Sequence, residues 1–175
     1  MNIFDSTKRF HGLGERDRLL LQIAVTLHAC GKFISMKNSN ECGYALIMST
    51  EIIGLSHLER EIIANVVRYN IRDFDYDMMQ LETEAGQDLA GVSDRTAITI
   101  LIAKLTAILR LANSMDKTHK AKLIDSRMAV RDGRLVITTG YQGDLALESA
   151  SFEQKAAFFE EIFGIRPVLK QKRRV

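Results

Sequence analysis

A long apolar helical pattern over residues 93–113 limits the folds that this chain can adopt. Ser93 or Asp94 is the expected N-cap, because a short oxygen-bearing side chain can accept hydrogen bonds from the first free backbone N–H groups. The pattern predicts a helix that forms the spine of a mainly helical core. Because Lys104 and Arg110 interrupt it, we do not expect it to span a membrane. Its apolar face consists of Ile98, Leu101, Ile102, Leu105, Ile108, Leu109 and Ala112.

A shorter amphipathic helix is predicted near the beginning of the chain. Apolar residues at positions 20, 23, 24 and 27 lie on one face of a helix that starts near Glu15. This helix is expected to end at His28–Cys30, because Gly31 follows. The polar stretch Met36–Asn40 is interpreted as a loop, and the glycine-containing stretch Glu82–Gly91 as a loop or a short helix.

Two capping boxes mark the starts of further helices. In such a box, a serine oxygen and a carboxylate or amide three residues later each accept a backbone N–H. Ser56 and Glu59 form the first box and predict a helix over 57–70. The second box is Ser151–Gln154, and Gly164 is expected to end the helix that follows it.

The hydrophobic pattern changes to that of strands after about residue 120. The runs Leu123–Val130 and Leu135–Thr139 flank Asp132-Gly133, a pair typical of the tight turn of a β-hairpin. Ile165–Leu169 is expected to be an edge strand, because Pro167 has no N–H to donate to a central ladder. A mainly α fold with a small α+β part is therefore predicted.

Length and composition set the domain organisation. With 175 residues, 46% of them apolar, the chain can bury one large core and a second small one. We predict a helical domain over 1–120, a small α+β subdomain over 121–170 and a basic tail over 171–175. The tail is interpreted as a solvated terminus, with a polyanion contact as the alternative. Its cations, together with the preceding lysine, are Lys170, Lys172, Arg173 and Arg174.

Charge and cysteine usage narrow the class of protein. Twenty-four basic against 22 acidic residues give a net charge of +2, far below that of a dedicated nucleic-acid-binding protein. The two cysteines, Cys30 and Cys42, form no CxxC pair, and no signal peptide is recognisable. We expect a cytoplasmic protein in which Cys30 is a buried structural thiol.

Six segments between Phe4 and His119 resemble, in the same order, the C-terminal region of the Ppx/GppA family of exopolyphosphatases and guanosine pentaphosphate phosphatases. The Leu27–Ile34 segment is similar to the family's LHDIGKFI, and Gly54–Ala64 to its GFSHEEREIIA. The others are the lead-in His11–Arg16 with Leu19–Leu21, Gly43–Ile47, Val67–Asn70 and Leu109–His119.

This resemblance implies an HD-type helical domain. In the family, phosphate-ester hydrolysis is carried out by an N-terminal actin-like pair of domains, and no glycine-rich phosphate loop of that kind occurs in this sequence. We therefore expect the catalytic module to lie outside this chain. The resemblance also implies polyphosphate as the first candidate ligand and a homodimer as a possible assembly.

Departures from the family pattern fall on its metal ligands. Ala29 replaces the aspartate of the HD pair, and Asn70 and Asn113 replace a histidine and an aspartate. The segment Asn38–Glu41 contains none of the usual histidines, and the family's upstream helix would lie before Met1. Because neutral amides bind transition metals poorly, we expect no metal, no cofactor and no catalytic residue in this fragment.

The polar residues that remain at the ends of the matched helices are largely cationic. A guanidinium offers a planar fork to phosphoryl oxygens, so these residues are candidates for contact with phosphate. Arg110 stands out because it interrupts an apolar face, where a charge is normally paired or lines a cavity. The alternative is pairing with Glu59, Glu61, Asp73 or Asp116. The candidate ligand-binding residues are His28, Lys32, Arg68, Arg72, Arg110, Lys117 and His119, with Tyr69 beside them.

The sequence is compatible with three functions. The first is an HD-like C-terminal domain that lends contact with polyphosphate, or dimerisation, to hydrolysis by the actin-like module. The second is an independent phosphohydrolase with an altered metal site formed by His28, Glu41 and Asp116. The third is a purely architectural domain. No membrane and no specific nucleic acid is expected as a partner.

Overall fold

The computed structural model describes residues 1–76, 81 and 91–172, and the backbone only for 91–94. The chain divides into two compact units. The helical unit is Gly14–Thr106, and the mixed unit joins Met1–Leu13 to Ala107–Val175. This division differs from the boundary predicted near residue 120, which stays a prediction. Residues 82–90 of the predicted loop or short helix, and Arg173 and Arg174 of the tail, lie outside the described residues.

The described helices and strands follow the predicted order, in which helices come first and a small sheet follows. This confirms the mainly α fold with a small α+β part. The elements are α1 (Asn2–Ser6), α2 (Lys8–His11), α3 (Glu15–Leu27), a 3₁₀ helix (Cys30–Phe33), α4 (Ser39–Met48), α5 (His57–Tyr69), α6 (Gly91–Ser114), β1 (Arg127–Arg131), β2 (Arg134–Thr139), α7 (Ala146–Phe163) and β3 (Arg166–Gln171).

In the helical unit, α5 packs against both α3 and α4. The predicted capping box is present: the Glu59 N–H donates to the Ser56 Oγ at 3.2 Å, and the Ser56 N–H donates to the Glu59 carboxylate at 2.9 Å. Six of the seven apolar residues of α5 are buried, more than in either α3 or α4. The buried apolar residues of α3, α4 and α5 are Leu20, Leu21, Ala24, Ile47, Ile62, Ile63, Ala64, Val66, Val67 and Tyr69.

Several predicted element bounds are wrong, and β1 begins at Arg127 rather than at Leu123, where the predicted run starts. The loop assigned to Met36–Asn40 ends at Asn38, because α4 begins at Ser39. The long helix begins at Gly91, before the expected caps Ser93 and Asp94. Helix α7 begins at Ala146 rather than after Ser151, and the Asp144 carboxylate accepts the N–H of this first helical residue at 2.8 Å.

The long helix α6 is apolar enough to be compared with a membrane span. The stretch Arg95–Ser114 is long and apolar enough to cross a membrane, with a mean hydropathy of 1.5. Half of that stretch, however, is buried inside the fold. Core helices have the same composition, so this is weak evidence for a span. The expected lack of a membrane partner stays a prediction.

The mixed unit contains a three-stranded sheet in the order β1-β2-β3. Strands β1 and β2 form the predicted hairpin, with Asp132 at φ 49° and Gly133 at φ 68° in its turn. Helix α7 ends at Gly164 in the left-handed conformation, as predicted, and connects β2 to the parallel strand β3. Pro167 therefore lies on an edge strand, where its missing N–H is tolerated.

Candidate functional site

The segment after His28 packs closely against α4 at Gly31. A Cβ atom added to Gly31 would lie 1.9 Å from the Ser39 carbonyl oxygen and 2.5 Å from the Gly43 nitrogen. The 3₁₀ helix therefore lies directly against α4 through glycine. Ala29, at the position of the family's aspartate, immediately precedes this helix, and Asn70 is buried just after α5.

His28 lies in the helical unit at the end of α3. Its Nδ1 is 2.6 Å from the Val25 carbonyl oxygen, which can only accept, so Nδ1 carries the hydrogen. Among the residues that the structure describes, no group of three or more histidine, cysteine, aspartate or glutamate side chains could hold a metal ion. The residues at the matched ligand positions, Ala29, Asn70 and Asn113, do not fit a catalytic divalent cation.

Arg68 and Arg72 are brought together by one carboxylate. Glu41 on α4 accepts from the Arg68 Nε at 3.0 Å and pairs with its Nη2 at 2.9 Å, while the Arg72 Nη1 lies 3.1 Å away. The Arg68 guanidinium also lies over the Tyr44 ring, 5.0 Å from its centroid. The predicted alternative partner Glu59 is bound to Arg16 instead, at 2.6 Å, which lowers the pKa of Glu59 to about 2. Both guanidinium groups therefore meet at the Glu41 carboxylate on the surface of the helical unit.

Arg110 is buried in the mixed unit. Its guanidinium carbon lies 4.7 Å from the centroid of the Phe158 ring on α7. A cation over an aromatic face is favourable in a desolvated place, which explains how the apolar face of α6 accommodates this residue. A role in phosphate contact stays a prediction for Arg110, and equally for the exposed Lys32.

Lys117 and His119 lie in the connection between α6 and β1. Both are exposed, and two residues of this connection, His119 and Ala121, have φ angles of 53° and 51°. Residues with a Cβ rarely adopt that region, so the surrounding contacts must hold it. One of those contacts is the Asp116 carboxylate, which accepts the Ala121 N–H at 2.9 Å.

The same connection borders a pocket that sequence reasoning missed. The sheet-end pocket is a cavity of about 530 Å³ at the end of β2. Residues of the connection between α6 and β1 line one side of it, and Lys172, just after β3, also contributes to the lining. One carboxylate, Asp125, is among its lining side chains, and Tyr141 contributes an aromatic ring. Four cations line it, so its wall is basic. These cations are Lys120, Lys122, Arg127 and Lys172.

Strand pairing explains why distant lysines and arginines meet there. Arg127 lies on β1 opposite Thr138 of β2, and the Lys172 N–H donates to the Thr139 carbonyl oxygen at 2.9 Å just after β3. The signal in the sequence was the density of cations from Lys117 to Arg127. The contribution of Lys172 required the parallel pairing of β2 with β3, which the sequence did not predict.

A buried carboxylate lies beneath one wall of the pocket. Glu148, in the first turn of α7, is fully buried and accepts from the Thr118 Oγ1 at 2.5 Å and from the Lys122 Nζ at 3.1 Å. The Lys122 Nζ also donates to the Asp144 carbonyl oxygen at 2.9 Å. The Thr118 hydroxyl and the Lys122 ammonium outweigh desolvation and lower the pKa of Glu148 to about 2. Glu148 is therefore a carboxylate throughout the physiological range.

Cys30 lines a separate, apolar cavity of about 490 Å³ within the helical unit, with Leu27 and Leu46 among its neighbours. Burial raises the pKa of the thiol. A thiol whose ionisation is disfavoured is a weak nucleophile, which supports the structural role expected for it.

Comparison with known families covers most of the chain. The family described as Ppx/GppA phosphatase, domain III, matches residues 1–155. The matched part contains the connection from α6, the hairpin and Glu148, and it ends within α7. No curated protein shows significant similarity to the chain.

Proposed function

Because the chain belongs to the Ppx/GppA phosphatase family through its domain III, we propose that it is the HD-like C-terminal domain of an exopolyphosphatase-type protein. In this proposal it contacts a phosphorylated ligand, with polyphosphate the first candidate. Hydrolysis belongs to an N-terminal actin-like module outside this chain. The protein is expected to act in the cytoplasm.

The observation that carries the proposal is the sheet-end pocket. Four cations and one carboxylate give its wall an excess of positive charge, and a concave surface of one sign concentrates oppositely charged ligands. Lys122 keeps one of its three ammonium hydrogens beyond those donated to Glu148 and Asp144. A chain of phosphoryl groups presents acceptor oxygens at short intervals, which matches several donors spread around one cavity.

Independent hydrolysis through an altered metal site is not supported by the contacts. Glu41 is bound by Arg68 and Arg72, and Asp116 accepts the Ala121 N–H. His28 donates from Nδ1 to its own helix. Each residue of that hypothetical site therefore has a structural partner, and the accessory role remains the simpler interpretation.

Titration with inorganic polyphosphate of defined chain lengths tests the proposal. The double variant Arg127→Gln, Lys172→Gln removes two cations from the pocket, and we expect binding about tenfold weaker or more, since charge-assisted contacts with phosphate are worth roughly 1 kcal/mol each or more. The matched control Arg131→Gln, Arg134→Gln removes two exposed cations from the hairpin turn of the same sheet.

The control variant is expected to bind within about twofold of the wild type, the range left to unspecific screening effects at moderate salt. Equal weakening in both double variants would mean that the ligand responds to the general surface charge and does not bind in the pocket. Absence of wild-type binding at low ionic strength would refute the proposed ligand contact.

A second candidate role, contact with another copy of the chain, is favoured by exposed apolar residues in the helical unit. Phe33, Ile34 and Met36 are 97%, 61% and 76% exposed. Three large apolar residues within four positions at such exposure are unusual outside an interface. Sedimentation velocity of the wild type and of a Phe33→Ser, Met36→Ser variant tests this, and a wild type that stays monomeric at high concentration contradicts it.

A further inference from the structure

We infer that Glu148 is a positioning residue for the sheet-end pocket: it holds the segment 118–122 in the shape that presents Lys120 and Lys122 to a phosphorylated ligand. The inference rests on the proposed function and goes beyond it, because Glu148 lies behind the pocket and does not line it.

The first step is the placement of the two bonds. Glu148 binds the side chains of Thr118 and Lys122, which are the two ends of a five-residue segment. A single fully buried side chain on α7 thus binds both ends of the segment. The Lys122 side chain, only 12% exposed, is also tied to the Asp144 carbonyl oxygen just before α7.

The second step concerns the backbone between those ends. His119 and Ala121 have φ angles of 53° and 51°, and Lys120 lies between them. Such conformations persist where the surroundings over-determine them, and they concentrate at functional sites. Besides backbone bonds of His119 and Ala121, the side-chain contacts that hold this stretch within the described residues are the Asp116 bond to the Ala121 N–H, the two Glu148 bonds and the Lys122 bond to the Asp144 carbonyl oxygen.

The third step is the cost of a buried carboxylate. A charge removed from water is retained only where hydrogen bonds and a counter-charge compensate it. An uncharged residue would fill the same space beside α7 without this requirement. The carboxylate therefore makes sense as the group that orders Thr118 and Lys122, since stability alone would not need it.

Electrostatics and positioning predict opposite results for Glu148→Gln. The substitution removes a negative charge close to an anion-binding wall, so electrostatics alone predicts tighter binding. If Glu148 positions the segment, the glutamine can still accept from Thr118 but no longer orders the Lys122 ammonium, and binding weakens. The sign of the change thus separates the two roles.

The experiment is a calorimetric titration of the full 175-residue chain with inorganic tripolyphosphate. We expect Glu148→Gln and Thr118→Val each to weaken binding about tenfold, as hydrogen bonds to charged groups allow. Thr118→Ser, which keeps the hydroxyl, is the rescue variant and is expected to bind like the wild type. Thr118→Val changes no charge, so it also carries the test if Glu148→Gln fails to fold.

Amide hydrogen exchange of the same proteins without ligand provides a second readout. Exchange at the Ala121 N–H should be faster in Glu148→Gln and Thr118→Val than in the wild type, because the segment is no longer held at both ends. Folded variants that bind as tightly as the wild type, or more tightly, overturn the inference, as does weaker binding with unchanged exchange. A wild type that does not bind tripolyphosphate instead overturns the proposed function, and this inference with it.

Discussion

The Nζ of Lys122 lies 3.1 Å from the Oε2 of Glu148, and the carboxylate is fully buried while the lysine side chain is 12% exposed. This ion pair joins the connection after α6 to the first turn of α7 within the mixed unit. Breaking a buried pair by removing one partner leaves the other charge uncompensated. The pair therefore links the pocket wall to the stability of the unit.

The pH dependence of stability should reveal this pair. The pKa of Glu148 is about 2 in the folded protein against an ordinary value of 4.5, so unfolding takes up a proton in acid. The stabilisation is fully present above about pH 4.5 and is lost as the pH falls towards 2. Urea unfolding of the wild type and Glu148→Gln should show a difference of about 3 kcal/mol at pH 7 that shrinks at pH 3. A difference that does not change with pH would contradict the ionised pair.

Glu59 must be considered in the same titration, because Arg16 also lowers its pKa to about 2. Both carboxylates lose stabilisation over the same acid range. The wild type should therefore lose stability in acid more steeply than Glu148→Gln, which keeps only the contribution of Glu59.

Two serines in similar motifs should respond differently to alanine. Ser56→Ala removes the oxygen that accepts the Glu59 N–H and should cost about 1 kcal/mol in the free energy of unfolding. Ser151→Ala changes a residue inside α7, where alanine is the better helix former, and should be neutral or slightly stabilising. Chemical denaturation of both variants measures the contrast. Equal losses would mean that α7 begins at Ser151 after all.

These serines illustrate what local sequence can predict. The box at Ser56 succeeded because a loop with Gly54 at φ 88° precedes it and no earlier cap competes. The same sequence pattern at Ser151 does not mark a helix start, because α7 already begins at Ala146, whose N–H donates to the Asp144 carboxylate. Local hydrogen-bond patterns are therefore reliable only when the residues before them do not offer a better start.

The candidate site shows a different limit. Periodicity and the turn pair predicted α5, α6 and the hairpin, since those signals are local. The partner of Arg68 was not predictable, because Glu41 lies on α4. The first turn of that helix consists of polar residues, which the sequence analysis interpreted in part as a loop. The sheet-end pocket depends on the parallel pairing of β2 with β3, a contact between residues far apart in the sequence.

Gly31 should tolerate no side chain. A Cβ atom there would lie 1.9 Å from the Ser39 carbonyl oxygen, so Gly31→Ala must move the backbone of α4 and should destabilise by roughly 3 kcal/mol or more. Gly140→Ala is the control, because its added Cβ would have no neighbour within 4 Å. Thermal unfolding of the two variants gives the comparison. A wild-type melting temperature for Gly31→Ala would show that the 3₁₀ helix does not rest on α4.

The last prediction concerns the guanidinium groups that Glu41 holds. The Arg68–Glu41 pair is partly exposed, at 28% and 43%, so Glu41→Gln should cost less than about 1 kcal/mol of stability. The substitution releases the guanidinium groups of both Arg68 and Arg72 from the carboxylate that they share. If these arginines contact phosphate as the sequence predicts, polyphosphate binding should tighten several-fold, with a steeper dependence on salt.

Glu51→Gln provides the matched control, since it removes the same charge from an exposed position in the same helical unit. An increase in polyphosphate affinity that both variants share reflects net charge alone, because the loss of one negative charge, screened by salt, has a similar effect on the ligand at either position. Only an excess gain in Glu41→Gln supports direct contact by Arg68 and Arg72. Equal binding by the two variants would leave the sheet-end pocket as the place where this chain contacts phosphate.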